Sequence, residues 1–177
     1  MDIYSDRLSA GYIKAITPEL IISYNYNYLI SQECIDAAGE RIINMHISFL
    51  PWNRGFSPNI WSFIDNTPKG VTIHMLSEGL DEGDILFQKK VEFAPEVETF
   101  QTTYNKLNSI ITQLFKDNWD KILSGEYTKL RKKQPIGGSF HCIEDLRQLR
   151  HKVCFAWDDN IADFLGRYEQ QVVNATS

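Results

Sequence analysis

The stretch I42-I-N-M-H-I-S-F-L-P51 decides the fold. Apolar and polar side chains alternate through it with the two-residue period of a strand, so Asn44, His46 and Ser48 share one face while Met45, Ile47 and Phe49 share the other. An amide and an imidazole on the same side of a strand are costly as plain core, because each buried polar head needs a hydrogen-bond partner. A catalytic edge supplies such partners.

Working outward, V71-T-I-H-M75 reads as a second strand running into S77-E-G-L-D-E-G83, where Gly79 and Gly83 permit the sharp turns that present Asp81 on a loop. A third strand resumes over 84–88. Upstream, L20-I-I-S-Y24 has the continuous apolar character of a buried parallel strand, with helices expected over 5–16, 32–38 and 58–65. This alternation argues for an α/β fold, an open and mostly parallel sheet flanked by helices. Loops beyond strand ends gather functional groups in such folds, so Asp81 is expected to approach His46.

The longest periodic segment, 99–124, carries Phe100, Tyr104, Leu107, Ile111, Leu114 and Phe115 on one stripe, with Thr99 as N-cap and Gly125 as stop. That stripe is core packing. Beyond it, Q134-P-I-G-G-S139 reads as a flexible loop, and 158–168 as a final short helix. We read 1–177 as a single domain in which 127–177 forms a C-terminal extension packed on the rest.

Composition narrows the function classes. A chain of 177 residues, 43% hydrophobic with formal charge −5, has enough core for one globular enzyme. Mild acidity argues against nucleic acid as a partner, and K129-L-R-K-K133 is too short a basic cluster to define a groove. Cys34, Cys142 and Cys154 lack the spacing of a disulfide framework or a zinc site, and no metal is expected. Without a signal peptide or an apolar run long enough to span a bilayer, the expectation is a cytoplasmic protein with no membrane partner.

An Asn, a His and a distant Asp form a common triplet on their own; the ordered neighbours make it specific. N44-M-H-I-S-F-L-P-W-N-R-G55, P58-N-I-W61, G70-V-T-I-H74 and L80-D-E-G-D-I-L-F-Q88 together resemble the folate-dependent formyltransferase family. The spellings S23-Y-N-Y26, L50-P-W-N-R-G55 and P58-N-I-W-S62 are similar to the branch that formylates nucleotide-linked amino sugars for bacterial surface glycans. The resemblance runs from about Leu8 to Tyr168, but members of the family place further β-α units ahead of the strand at Leu20. A compact enzyme, a fragment and a non-catalytic binding remnant all fit that difference.

The resemblance implies transfer of a formyl group from N10-formyltetrahydrofolate to a primary amine through a tetrahedral intermediate. Asn44 would donate to the formyl oxygen, a contact whose loss typically costs about 2.7–4 kcal/mol of barrier. His46 would stabilise that oxygen or accept the amine proton, an imidazole with an ordinary pKa of about 6.5 being suited to the task. Asp81 would orient and support it. The donor is expected between Asn27, Tyr28, Leu29 and Ile30 on one loop and Glu78, Gly79 and Leu80 on another. For the acceptor we expect Ser48, Pro51, Trp52, Asn53 and Arg54, with His74 in contact or supporting from behind. A formyltetrahydrofolate hydrolase is the rival enzyme; methionyl-tRNA formylation fits less well because the C-terminal stretch is short and the charge negative. An uncovered flank at Leu20–Tyr24 would be an edge liability, so a homodimer is expected.

Overall fold

Four strands form the central sheet in the order β1 (Ile21–Tyr24), β2 (Ile42–His46), β4 (Lys69–Met75), β5 (Ile85–Val91). The computed structural model describes residues 3–39 and 41–176, with side chains through 171. β1 runs parallel to β2, joined through helix α2 (Gln32–Ala38), whose Ser31 side chain caps the Cys34 amide. β2 and β4 pair antiparallel, with Asn44 opposite His74 and His46 opposite Thr72. β4 and β5 are also antiparallel. A two-stranded parallel ribbon, β3 (Arg54–Gly55) with β6 (Phe140–His141), lies apart from the sheet.

The expected open α/β sheet with flanking helices is therefore present, and its strand directions are mixed. Parallel pairing belongs to β1 with β2 and to the β3–β6 ribbon. The short loop over 76–84 cannot hold a parallel crossover, which needs a dozen residues or more, so β5 turns back along β4.

Element ends shift for identifiable reasons. The first helix forms only over Ala10–Ile16, capped by the Ser9 side chain, because the preceding residues are held elsewhere: the Tyr26 hydroxyl accepts from the Leu8 amide and donates to the Asp6 carbonyl. The long helix is interrupted at Asn118, giving α4 (Phe100–Asp117) and α5 (Trp119–Leu123). Thr99 caps α4 as expected, and Gly125 at φ 75 ends α5 before a 3-10 turn over Glu126–Lys129. The strand expected at 84–88 continues to Val91, and the last helix, α7, extends over Ile161–Thr176. Helix α6 (Ile143–Lys152) was not foreseen.

Three apolar clusters hold these elements. Ile43 and Met45 on one face of β2 pack with Val71, Ile73, Leu107 and Ile111 under α4. Ile42, on the opposite face, packs with Ile13 of helix α1 (Ala10–Ile16) and with Cys34 and Ala38 of α2. Asn44 and His46 continue the Ile42 face, so the strand period carries them from core into the site. The third cluster joins helix α3 (Pro58–Ile64) and Phe100 to Leu149, Val153, Ile161 and Phe164 of the C-terminal helices. No helix among the described residues is long and apolar enough to cross a membrane.

Candidate active site

The 76–84 loop folds back over β2 and brings Asp81, 7% exposed, against the polar face of that strand. Asp81 has φ 56, a left-handed conformation uncommon outside glycine, asparagine and aspartate, and this turns its carboxylate inward. Asp81 Oδ1 accepts from Asn44 Nδ2 at 3.1 Å, and Oδ2 accepts from the Gly55 amide at 2.9 Å while lying 3.6 Å from His46 Nε2. Thus the three residues expected to converge do meet, across 37 positions of sequence.

His74 completes the cluster from the neighbouring strand. Its Nδ1 donates to the Met75 carbonyl at 2.8 Å, which leaves Nε2 to accept from Asn44 Nδ2 at 3.2 Å. Both Asn44 amide protons then have acceptors, Asp81 Oδ1 and His74 Nε2. His74 is 1% exposed, so its place is beneath Asn44.

The charges follow from burial and neighbours. Burial pushes the His46 imidazole below its ordinary pKa; the Asp81 carboxylate and the Asn53 carbonyl pull it back up only in part, and His74 lowers it further. Burial lifts the Asp81 carboxyl, yet His46 and the Gly55 amide outweigh it and hold the group well below the usual carboxylate range. A neutral imidazole therefore faces a carboxylate at neutral pH.

His46 Nε2 also donates to the Asn53 carbonyl at 3.3 Å. Asn53 is left-handed at φ 54 and fully buried, its side chain donating to Thr67 Oγ1 and accepting from the Ser139 hydroxyl. Its amide and carbonyl side chain are thus committed within the protein. Gln134 donates to the carbonyls of both Asp81 and Gly83. Thr72 and Gln88 brace the turn after β2 through the Ser48 and Leu50 carbonyls.

Sequence reasoning missed Gly55, Gln134 and Ser139 as site residues. A lone main-chain amide leaves no sequence signal, and only the polar residues bounding the P-I-G-G loop marked the other two.

Of the remaining candidates, Ser48 is 3% exposed with its Oγ unpartnered, Pro51 is buried and its carbonyl accepts from the Ser139 amide, and Trp52 is half-buried. Arg54 pairs with Glu82 at 3.2 Å while its Nε stays buried without a partner. Asn27, Tyr28 and Leu29 are exposed, Leu29 by 72%, and Ile30 packs against the α1–α2 cluster. Glu78 is exposed and Gly79 and Leu80 half-buried. No hydrogen bond or ring contact joins these two loops among the described residues.

Comparison with known proteins agrees with this geometry. Residues 5–117 match the family model described as formyl transferase. The dTDP-4-amino-4,6-dideoxyglucose formyltransferase of Mycobacterium tuberculosis is 32% identical over 132 residues, which make up 75% of this chain and 54% of that protein. The methionyl-tRNA formyltransferase of Geobacter sulfurreducens is 30% identical over 68% of this chain and 38% of its own length. The chain thus spans about half the length, or less, of the curated relatives it matches. Among solved structures, the formyltransferase PseJ of Anoxybacillus kamchatkensis, in complex with UDP-4,6-dideoxy-4-formamido-L-AltNAc and tetrahydrofolate, superposes with a TM-score of 0.82 at 37% identity, covering 93% of this chain and 85% of that one.

Proposed function

Because the chain belongs to the formyl transferase family, we propose that it moves a formyl group from N10-formyltetrahydrofolate to the primary amine of a nucleotide-linked amino sugar. The observation that carries this reading is the convergence of Asn44, a neutral His46 and an ionised Asp81 on one buried polar cluster. The similarity to amino-sugar formyltransferases supports the acceptor class.

In this reading His46 takes the proton that the amine sheds as its nitrogen bonds to the formyl carbon, and returns it to the donor nitrogen as that bond breaks. Asn44 turns one amide proton from its present acceptor toward the formyl oxygen, where negative charge grows. Asp81 keeps the other amide proton and stabilises the imidazolium that forms transiently on His46. His74, beneath Asn44, is the acceptor from which the first proton turns.

Donor and acceptor residues keep the assignments read from the sequence. Asn27, Tyr28, Leu29 and Ile30 with Glu78, Gly79 and Leu80 hold the folate ring, and the fit rests on the uncovered apolar surface of Tyr28 and Leu29. Ser48, Pro51, Trp52 and Arg54 form the acceptor side, with Asn53 and His74, both buried and hydrogen-bonded within the protein, supporting it from behind. The reading takes 1–177 as one catalytic unit with 127–177 packed on it, in the cytoplasm, where three free cysteines stay reduced. It includes a homodimer formed along β1, whose partner within the sheet is β2 alone. A monomer by sedimentation at micromolar concentration would remove that part.

The test incubates the protein with N10-formyltetrahydrofolate and a panel of UDP-, dTDP- and CMP-linked amino sugars and follows product mass. A formylated sugar is expected. Free formate without such a product would assign hydrolysis, and binding without turnover would remove catalysis.

The pH profile gives a second check. His46 must be neutral to accept a proton, and its folded pKa lies below 6.5, so the acid limb of kcat/KM falls below pH 6.5 and activity is lost as pH drops through it. Asp81→Asn removes the carboxylate that pulls this pKa up, so the limb of the residual activity moves to lower pH. A limb that stays fixed or rises would break the assigned coupling.

A further inference from the structure

Two residues in the cluster hold left-handed backbone without being glycine, Asn53 at φ 54 and Asp81 at φ 56. Both offer an acceptor to His46 Nε2, the Asn53 carbonyl at 3.3 Å and the Asp81 carboxylate at 3.6 Å. Such backbone costs free energy and persists only where the surroundings enforce it. Beside Thr67, Asn44 and Gly55, which hold the Asn53 and Asp81 side chains, one distant loop grips both turns. Gln134 Nε2 donates to the Asp81 carbonyl at 2.7 Å and the Gly83 carbonyl at 2.9 Å, bridging both ends of the turn that carries the carboxylate. Ser139 Oγ accepts from the Asn53 amide at 2.9 Å and donates to Asn53 Oδ1 at 3.2 Å, gripping main chain and side chain together.

The loop is itself anchored at the Ser139 end. The Ser139 amide donates to the Pro51 carbonyl and its carbonyl accepts from the Arg54 amide, immediately before β6 pairs with β3. Gly138 lies so close to Pro51 that a side chain there would strike the Pro51 carbonyl at 2.1 Å. β3 in turn supplies the Gly55 amide to Asp81 Oδ2. All of these loop residues lie beyond residue 117, where the family match ends.

We propose that the Gln134–Ser139 loop is a strap that sets the orientation and tautomer of His46, with Gln134 and Ser139 as positioning residues. With the Asn53 carbonyl and Asp81 carboxylate both fixed in front of Nε2, the imidazole proton is held on Nε2, leaving the Nδ1 lone pair to accept a proton. Release of either grip lets a left-handed residue relax and carries its acceptor away from the ring. The proposal rests on the formyl-transfer reading for its kinetic consequence and on geometry alone for its spectroscopic one.

The test uses Ser139→Ala, Ser139→Thr and Gln134→Met in the full chain, the last keeping side-chain length without the donors. Ser139→Ala and Gln134→Met should each lower kcat by roughly a hundredfold, the scale of a small misplacement of reacting groups, with KM for the donor nearly unchanged. Ser139→Thr, which retains the hydroxyl, should restore most of the loss. In imidazole nitrogen-15 spectra the wild type should show His46 protonated at Nε2, and both disabling variants should lose that single-tautomer signature. Unchanged kcat together with an unchanged His46 signature in Ser139→Ala would overturn the proposal, and this variant decides if Gln134→Met fails to fold. If wild type transfers no formyl group while the His46 signature still depends on Ser139, the strap stands and the formyl-transfer reading falls.

Discussion

His46→Ala lowers kcat for formyl transfer by about 10²–10⁴-fold, the span that a positioned acid-base group contributes. The substitution removes the ring that Asp81 faces at 3.6 Å and leaves the carboxylate with Asn44 and the Gly55 amide, so the loop retains most of its hydrogen bonds. His46 lies at the end of β2 with 8% of its surface exposed, and its apolar neighbours Met45 and Ile43 point the other way, into the α4 cluster. The fold should therefore survive, with circular dichroism like that of wild type. Asn44→Ala should cost about 2.7–4 kcal/mol of barrier if its amide meets the developing oxyanion. Steady-state kinetics on the accepted amino sugar measure both; near-normal turnover in either variant contradicts the role given to it.

Phe100→Ala should reduce folding stability by about 3–5 kcal/mol, the usual cost of removing a buried aromatic ring. Phe100 is fully buried at the first turn of α4 and meets Phe164 edge-on at a centroid distance of 5.0 Å, with Phe63 and Phe155 at 6.4 and 5.8 Å. Its carbonyl also accepts from Asn59. The rings that meet it are rigid, so the cavity closes only in part and its cost is added to lost burial. Since whole domains are stable by only about 5–15 kcal/mol, the variant should melt many degrees lower. Chemical denaturation with an unchanged midpoint would show that the α3, α4 and α7 contact is not a single packed unit.

Much of the site was legible because strand periodicity is short-range. The alternation through Asn44, His46 and Met45 needed no tertiary information, and the glycines flanking Asp81 announced the turn that carries it. The helix stripe from Phe100 to Ile111 was visible for the same reason. What stayed hidden depends on partners far away in sequence. β3 and β6 are two residues each, too short for any period, and exist because each satisfies the other. Helix α6 reads I-E-D-L-R-Q-L-R-H-K and buries only Leu149, so its charged sequence gave little stripe to follow. Gln134 and Ser139 act across 53 and 86 positions, and no local pattern separates them from ordinary loop polarity. The break at Asn118 was missed because the apolar stripe of Leu114 and Phe115 resumes at Trp119 and Ile122 on its far side.

The third apolar cluster has a practical consequence for anyone shortening this chain. The family-model match ends at residue 117, yet Ile60, Trp61, Phe63 and Phe100 on the matched side are roofed by Leu149, Val153, Ile161 and Phe164 from the other. Cutting there would strip that roof and leave a wet aromatic floor, a sticky surface that invites precipitation. The end of the matched segment is not a boundary of folding.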